Sequence, residues 1–531
     1  MAMLFRDSMR ITWQLLVALL LGATLLLLTG CSDDGTSNDD APASTEHQTT
    51  SATTTATTVG LVIPESVAAA MAANLTPFTP GQPDTDTIDV NLANAADPAH
   101  GIQAENGAVI LTRSGSYRLY GTLAGRVVVD CKGGSFTVIL DGVSVTSDVP
   151  GAFVVTAADE VVLHLAAGSF NMLRDSWDGA NLDSNAPNAA LHSVADLGIT
   201  GSGTLTVIGA IDGIASTDGL VIADGTIEVS AGDDALRGKD YLTLSGGVLT
   251  LDANGDAMKS THETDAARGY VWIDGGIITA TAGTDCVDAT TDMLISGGEL
   301  RLSCGDDGLH GEVLAIIDGG MVDITRSYEG VEAPVVVVAG GVTRIVSSDD
   351  GLNAAGGDGS AAPGTGGRGG RPGGPGGGGP GGLGMDGDPS KYALVISGGT
   401  LTIDAGGDGL DSNGSMSISG GDITVYGPTN QGNGALDSSG LSLTGGRLLA
   451  LGAAGMAEGP AEYTQAWIGA VFSAGAGANI TVTDMSNTAF TWSFTILKAS
   501  GCMVFSVPEL VSGATYSIAV NGEVLGSLTA Y

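Results

Sequence analysis

The chain has 531 residues, with 19 basic against 59 acidic side chains, a net charge of −40, 85 glycines and few aromatics. That length suits one long repeat domain with appendages, or two to three ordinary domains. The charge excludes nucleic acid, which needs Lys and Arg to displace counterions, and suits cations, a neutral ligand gripped by other means, or simply a solvated acidic surface.

Residues 1–31 read as a targeting segment. Arg6 and Arg10 precede an almost wholly apolar run from Ile11 to Leu28. It ends in Leu28-Thr29-Gly30-Cys31, which resembles the lipobox of bacterial lipoprotein signals. That resemblance implies lipidation at Cys31, export, and anchoring at the bacterial cell surface. A plain transmembrane anchor is the alternative, since the run approaches spanning length. Residues 32–85, rich in Thr, Ser, Ala and Asp, lack the apolar patterning of a folded segment and are expected to be a disordered tether. A flexible chain of about 50 residues spans on the order of 40 Å.

From Ile88 onward short β-like runs replace this composition, among them 127–129 and 136–140. The dominant signal is an internal repeat. Gly-Gly pairs begin at Gly246, Gly275, Gly297, Gly319, Gly340, Gly398, Gly420 and Gly445, at intervals of 29, 22, 22, 21, 58, 22 and 25. Asp224-Gly225 extends the series toward the N-terminus. Counted from the second glycine, positions 2, 4, 11, 17 and 19 are apolar: Ile227, Val229, Leu236, Leu242 and Leu244 in one unit, Leu401, Ile403, Leu410, Met416 and Ile418 in another. Alternation within 2/4 and 17/19 has the period of a strand with one buried face. The isolated position 11 marks a third, shorter side.

Twenty-two residues at about 3.3 Å each give a perimeter of about 70 Å, enough to close a three-sided tube filled by side chains. The expected fold is therefore all-β, a right-handed parallel β-helix over residues 86–465, stabilised by stacking of neighbouring coils. A Gly/Pro-rich insertion, 356–389, leaves one coil as a loop. Residues 466–531 lose the period but keep β runs, and are expected to form a β cap over the open end. None of Cys131, Cys286, Cys304 and Cys502 makes a CxxC pair, which argues against zinc; buried free thiols are expected.

Position 9 of each unit is acidic: Asp234, Asp256, Asp285, Asp307, Glu329, Asp350 and Asp408, with Asp212 in the preceding coil. Position 8 adds Asp233, Asp306 and Asp349. Position 12 is polar throughout, reading Arg237, Lys259, Asp288, His310, Glu332, Asn353 and Asp411. Stacked at ~4.8 Å, unit charges repel by about 3.5 kcal/mol at an effective dielectric of 20. Water must screen this strip, or cations must bridge it, and Ca²⁺ fits because it takes six to eight hard oxygens in flexible geometry. The alternative is turn chemistry, since Gly often follows the acid. Against it, Glu329 is a poor turn former, and Ala235, Ala257 and Cys286 replace the Gly while the acid stays.

The Gly-Gly…Gly-Asp-Asp-Gly-Leu coil resembles a family of cell-surface carbohydrate-binding β-helix proteins of cellulose-degrading bacteria. So do Gly115-Ser116-Tyr117-Arg118-Leu119, Ala186-Pro187-Asn188-Ala189-Ala190-Leu191 and Arg268-Gly269-Tyr270-Val271-Trp272-Ile273. That family is similar in fold to pectate lyases. The resemblance implies binding of cellulose or an acidic plant polysaccharide such as polygalacturonate, with Ca²⁺ held by aspartates. Trp177, Tyr270 and Trp272 are candidate sugar platforms. The alternative is a calcium-dependent polysaccharide lyase, with Arg237 or Lys259 as the base.

Overall fold

A computed structural model describes residues 61–177, 186–355 and 388–531. The lipobox with Cys31, the first part of the expected tether and most of the Gly/Pro-rich insertion lie outside the described residues. Two compact units divide the chain, and the second, Ile63–Tyr531, holds everything discussed below.

This unit is all-β, with one five-residue α-helix and three short 3-10 turns among the described residues. Its strands fall into three parallel ladders that the chain visits in turn. The first runs through Glu160–Leu165, Asp196–Thr200, Gly219–Ile222, residues 241–244, residues 270–273 and Asp292–Ile295. The second runs through Thr204–Gly209, Thr226–Ala231, residues 248–253, residues 277–282 and Glu299–Ser303. The third, of very short strands, joins Asp212–Ser216, Leu236–Gly238, Met258–Ser260, Val287–Ala289 and Leu309–Gly311. In all three, each strand pairs with the equivalent strand one repeat later. The five apolar repeat positions point inward: Ile227, Leu236, Leu242 and Leu244 are fully buried, and Val229 nearly so.

Both glycines of the pair are needed, for different reasons. The second adopts a left-handed backbone, φ +86° at Gly298, which glycine alone reaches without strain. The first lies against the coil below, and a Cβ on Gly297 would sit 2.1 Å from the Asp274 carbonyl oxygen.

At the C-terminal end the parallel order stops. Ser500–Ser506 pairs antiparallel with both Arg447–Gly452 and Ile468–Ala474. A separate four-stranded antiparallel sheet follows, and its Ile480, Val482 and Tyr516 share one apolar cluster with Leu451, Met503 and Phe505. Cys286, Cys304 and Cys502 are buried free thiols, and Cys131 is a half-buried one. Among the described residues no helix is long and apolar enough to cross a membrane.

The expected tether needs correction at its C-terminal end. Ser66 caps a helix over Val67–Met71, and residues from Ile63 onward pack on the outer face of the first ladder. Val67 and Ala70 bury against Leu294, Leu314, Ile316, Val335 and Val337. The Val67 N–H donates to Asp318 Oδ2 at 2.8 Å, Asn74 Nδ2 to Asp292 Oδ2 at 2.9 Å, and the Tyr270 hydroxyl to the Leu75 carbonyl at 2.5 Å. The segment is a strap, fixed by apolar residues that its polar surroundings obscure.

Gly297→Ala should lower stability by about 1–3 kcal/mol, the usual cost of overpacking. Gly440→Ala, where a Cβ meets nothing within 4 Å, should leave it almost unchanged. Thermal denaturation of both variants checks the coil-to-coil contact.

Candidate functional site

The position-9 acids stand at the corner leading into the third ladder, where coils still stack but regular pairing lapses. Each aspartate of the column accepts the backbone N–H of its successor in the next coil, whereas Glu329 accepts the Asn353 side-chain amide. Asp256 N–H donates to Asp234 Oδ1 at 3.0 Å, Asp285 N–H to Asp256 Oδ1 at 3.0 Å, and Asp307 N–H to Asp285 Oδ1 at 2.8 Å. Asp408 N–H donates to Asp350 Oδ1 at 2.6 Å across the insertion. The column is thus a side-chain substitute for ladder hydrogen bonds.

The glycine after these acids lies at a bend but is not required there by a left-handed backbone. Gly308, Gly330, Gly351 and Gly409 all have ordinary negative-side backbone angles. They are small because they press on the next coil: a Cβ on Gly330 would lie 2.2 Å from the Gly351 carbonyl oxygen. A left-handed turn therefore does not account for these glycines.

Position 12 forms its own column in strict register: Arg237, Lys259, Asp288, His310, Glu332, Asn353, Asp411 and then Asp437. Toward the N-terminal end its basic groups neutralise the acids. Arg237 Nη2 lies 2.6 Å from Asp212 Oδ2, and Lys259 Nζ bridges Asp256 and Asp288. Lys259 is buried, and although desolvation pulls its pKa down, Asp288, Asp256 and Asp234 hold it well above normal. Burial likewise opposes ionisation of Asp288, but His310 and Lys259 outweigh it and keep the carboxyl well below its usual range. His310, despite the opposing effect of burial, is raised to about 10 by Asp288, Asp285 and Glu332.

Beyond His310 the chemistry changes, because position 12 supplies Glu332, Asn353, Asp411 and Asp437 and no positive charge. Burial first, and then neighbouring carboxylates, push Asp307, Glu329, Asp350 and Asp411 up to about 8. Asp285 is also raised well above its normal value, by burial and by Asp256. Carboxylate oxygens of Asp285, Asp306 and Asp307 can all lie within 4.8 Å of one another. The same holds for Asp307, Glu329 and Glu332, and for Asp408, Asp411 and Asp437. Asn353 is 6% exposed; its Nδ2 donates to Glu329 Oε2 at 2.8 Å, while its buried Oδ1 has no hydrogen-bond donor. An orphan carbonyl oxygen in register between Glu332 and Asp411 is a hard donor in an oxygen-only set, and such a set fits Ca²⁺.

Asp212, Asp234, Asp256, Asp285, Asp307, Glu329, Asp350 and Asp408 thus share one column, and Asp288 and Asp411 the adjacent one. Asp233 and Asp306 are exposed on the rim, and Asp349 is half-buried. The structure adds His310, Glu332 and Asp437 to the strip, with Glu458 beside Asp437, raised by burial to about 7. Position 12 announced the first two by periodicity. Asp437 was hidden by the extra residues that precede it in its own, longer coil.

Among the aromatic platforms, Tyr270 needs correction. Tyr270 is wholly buried, stacked on Tyr241 with ring centroids 5.6 Å apart and roofed by the strap. Trp272 is half-buried on the outer face of the first ladder, away from the acid strip, its indole N–H donating to Ser296 Oγ at 2.9 Å. Trp177 is half-buried beyond the strand Phe170–Asp175.

Residues 105–356, just under half of the chain, match a family model described as carbohydrate-binding domain-containing protein. A protein of that same description from Acetivibrio thermocellus is 31% identical over 141 residues, 26% of this chain and 49% of the relative. The chain therefore spans about half the length of the curated relative it matches. Among solved structures, a gadolinium derivative of the polysaccharide lyase-like protein from C. thermocellum is 30% identical, with a TM-score of 0.39, covering 41% of this chain and 91% of that one.

Two outcomes follow from the strip itself. Lys259→Ala leaves Asp256 and Asp288 buried without their cation and should cost about 3–5 kcal/mol by chemical denaturation. In chelator, the raised carboxyls hold protons in the folded state that the unfolded chain releases near pH 4. Stability should therefore fall as pH rises from about 4 through about 8. A melting temperature that rises across that interval would contradict the placement of these acids.

Proposed function

We propose that this protein is an exported, lipid-anchored polysaccharide-binding protein of the bacterial cell surface, which holds Ca²⁺ along the acid strip and does not cleave its ligand. We read its three ladders as a right-handed parallel β-helix. The similarity over residues 105–356 to a carbohydrate-binding family supports the ligand class. The observation that carries the calcium reading is Asn353 Oδ1, a buried oxygen without a donor in a column that past His310 otherwise holds only carboxylates. Asp307, Glu329, Glu332, Asp408, Asp411 and Asp437 would hold the ions with it. Bound Ca²⁺ supplies positive charge that can also take oxygens from a uronate, which favours an acidic plant polysaccharide such as polygalacturonate, with cellulose as the neutral candidate.

A lyase would need a base that sheds its proton. Arg237 and Lys259 are both locked in ion pairs with the acids beside them, and the carboxylates around Lys259 raise its pKa. This supports binding without cleavage. The lipobox-like Leu28-Thr29-Gly30-Cys31 supports the anchor.

Calcium should raise the melting temperature relative to chelator; a ligand at one hundred times its Kd adds about 2.7 kcal/mol. Asp411→Asn should reduce that gain, and an unchanged melting temperature in chelator would remove calcium from the assignment. Immobilised polygalacturonate should retain the protein only with Ca²⁺ and yield no ultraviolet-absorbing unsaturated product. A steady absorbance rise that Lys259→Ala abolishes would make the protein a lyase instead. Separately, Cys31→Ala should abolish labelling by a radioactive fatty acid, and equal labelling of parent and variant would end the anchor reading.

A further inference from the structure

The strap does more than cover apolar surface. Beyond its helix, residues 76–82 lift from the first ladder and wall a cleft of about 600 Å³. The floor is a row of outward-facing ladder residues in register, Val221, Thr243 and Trp272, beside a second row that includes His164, Thr200, Ser245 and Asp274. Phe78 and Pro80 form the opposite wall. They reach their seat because Gly198 interrupts the outward row: a Cβ there would lie 2.7 Å from Pro80 and 2.9 Å from Phe78. The Phe78 N–H is pinned to the Tyr241 hydroxyl at 3.0 Å, which fixes the wall.

The lining is built from two kinds of group. Trp272 offers an aromatic side chain whose indole N–H is already held by Ser296 Oγ, which in turn donates to Asp274 Oδ1 at 2.8 Å. Around it stand the carboxylates of Asp224 and Asp274 and the hydroxyls of Thr200, Thr243 and Ser245. Among the described residues no Lys or Arg lines the cleft, and burial lowers the His164 imidazole below its usual pKa. A ligand with a negative charge would meet two carboxylates here and no Lys or Arg to offset them. A ligand with apolar C–H faces and many hydroxyl donors would stack on Trp272 and donate to Asp224 and Asp274.

We infer that this strap-walled cleft is a second carbohydrate site, specific for a neutral oligosaccharide and independent of the acid strip. It needs no metal ion, and it lies on the first ladder, whereas the strip borders the third. The strap is part of the site, so a chain truncated before Phe78 is a different binder from the whole protein.

Isothermal titration of the full chain with cellotetraose, xylotetraose and mannotetraose in chelator tests this. At least one should bind, and Trp272→Ala should weaken it by about tenfold or more, whereas Trp272→Tyr should largely restore it. Gly198→Val, which displaces Phe78 and Pro80, should weaken binding in the same way, and Asp274→Asn should weaken it by a smaller factor. Melting curves report folding, and if Trp272→Ala fails to fold, Gly198→Val and Asp274→Asn decide the matter. Binding of none of the three sugars, or binding that these variants leave unchanged, overturns the proposal. Binding that appears only with Ca²⁺ also overturns it, by moving the neutral sugar to the strip. Loss of calcium-dependent polygalacturonate retention would leave this result untouched.

Discussion

Parallel stacking of successive coils is the constraint from which the rest of this structure follows. Once a backbone hydrogen-bonds to its own equivalent one repeat later, every repeat position becomes a column at a spacing of about 4.8 Å. A column of Leu or Ile fills the interior. A column of glycine lets carbonyl groups approach so closely that no other residue fits, as at Gly297, Gly319 and Gly340. A column of carboxylates, by the same rule, concentrates charge that an ordinary fold would scatter.

The acid column survives because its repulsion is relieved in three ways along its length. At every aspartate of the column the carboxylate accepts the N–H of the next coil, so removing that acid would orphan a backbone donor. Toward the N-terminal end, Arg237 and Lys259 place positive charge in the neighbouring column. Past His310 that relief is gone, and the remaining options are to hold protons or to hold a cation. The structural and the functional uses of the same residues are therefore not alternatives. One oxygen of the carboxylate can serve the backbone while the other faces the strip.

Much of this was legible in the sequence because a stacked repeat turns spacing directly into geometry. The Gly-Gly interval placed Arg237, Lys259, Asp288 and His310 in one row, and the register agrees residue for residue. Asp437 escaped because its coil is longer, so counting from Gly421 misplaced it. The strap escaped for another reason. Its signals are sparse, a Ser66 cap followed by Val67, Ala70, Met71, Leu75 and Phe78, and they sit in a segment whose composition is that of a tether. Tyr270 was then misread because nothing local distinguishes an aromatic awaiting a sugar from one awaiting the strap.

The strap could still have been anticipated from the surface that it covers. On the second ladder, outward positions are polar, as with Thr206, Glu228, Thr250 and Thr279 in register. On the first ladder alternation fails: Leu314–Ile317 and Val335–Val338 are buried at all four positions. A strand that is apolar on both sides must be covered on both sides. The outward row at Leu294, Ile316 and Val337 therefore demanded a cover that the repeats themselves cannot provide, since they stack edge to edge and never face to face. Only a segment outside the repeat can supply it, and the segment that does so arrives at the single glycine, Gly198, where the outward row leaves room for it. The cleft beside Trp272 exists because that cover is incomplete, and what it leaves open is a floor already paired for strap residues on one flank and lined by carboxylates and hydroxyls on the other.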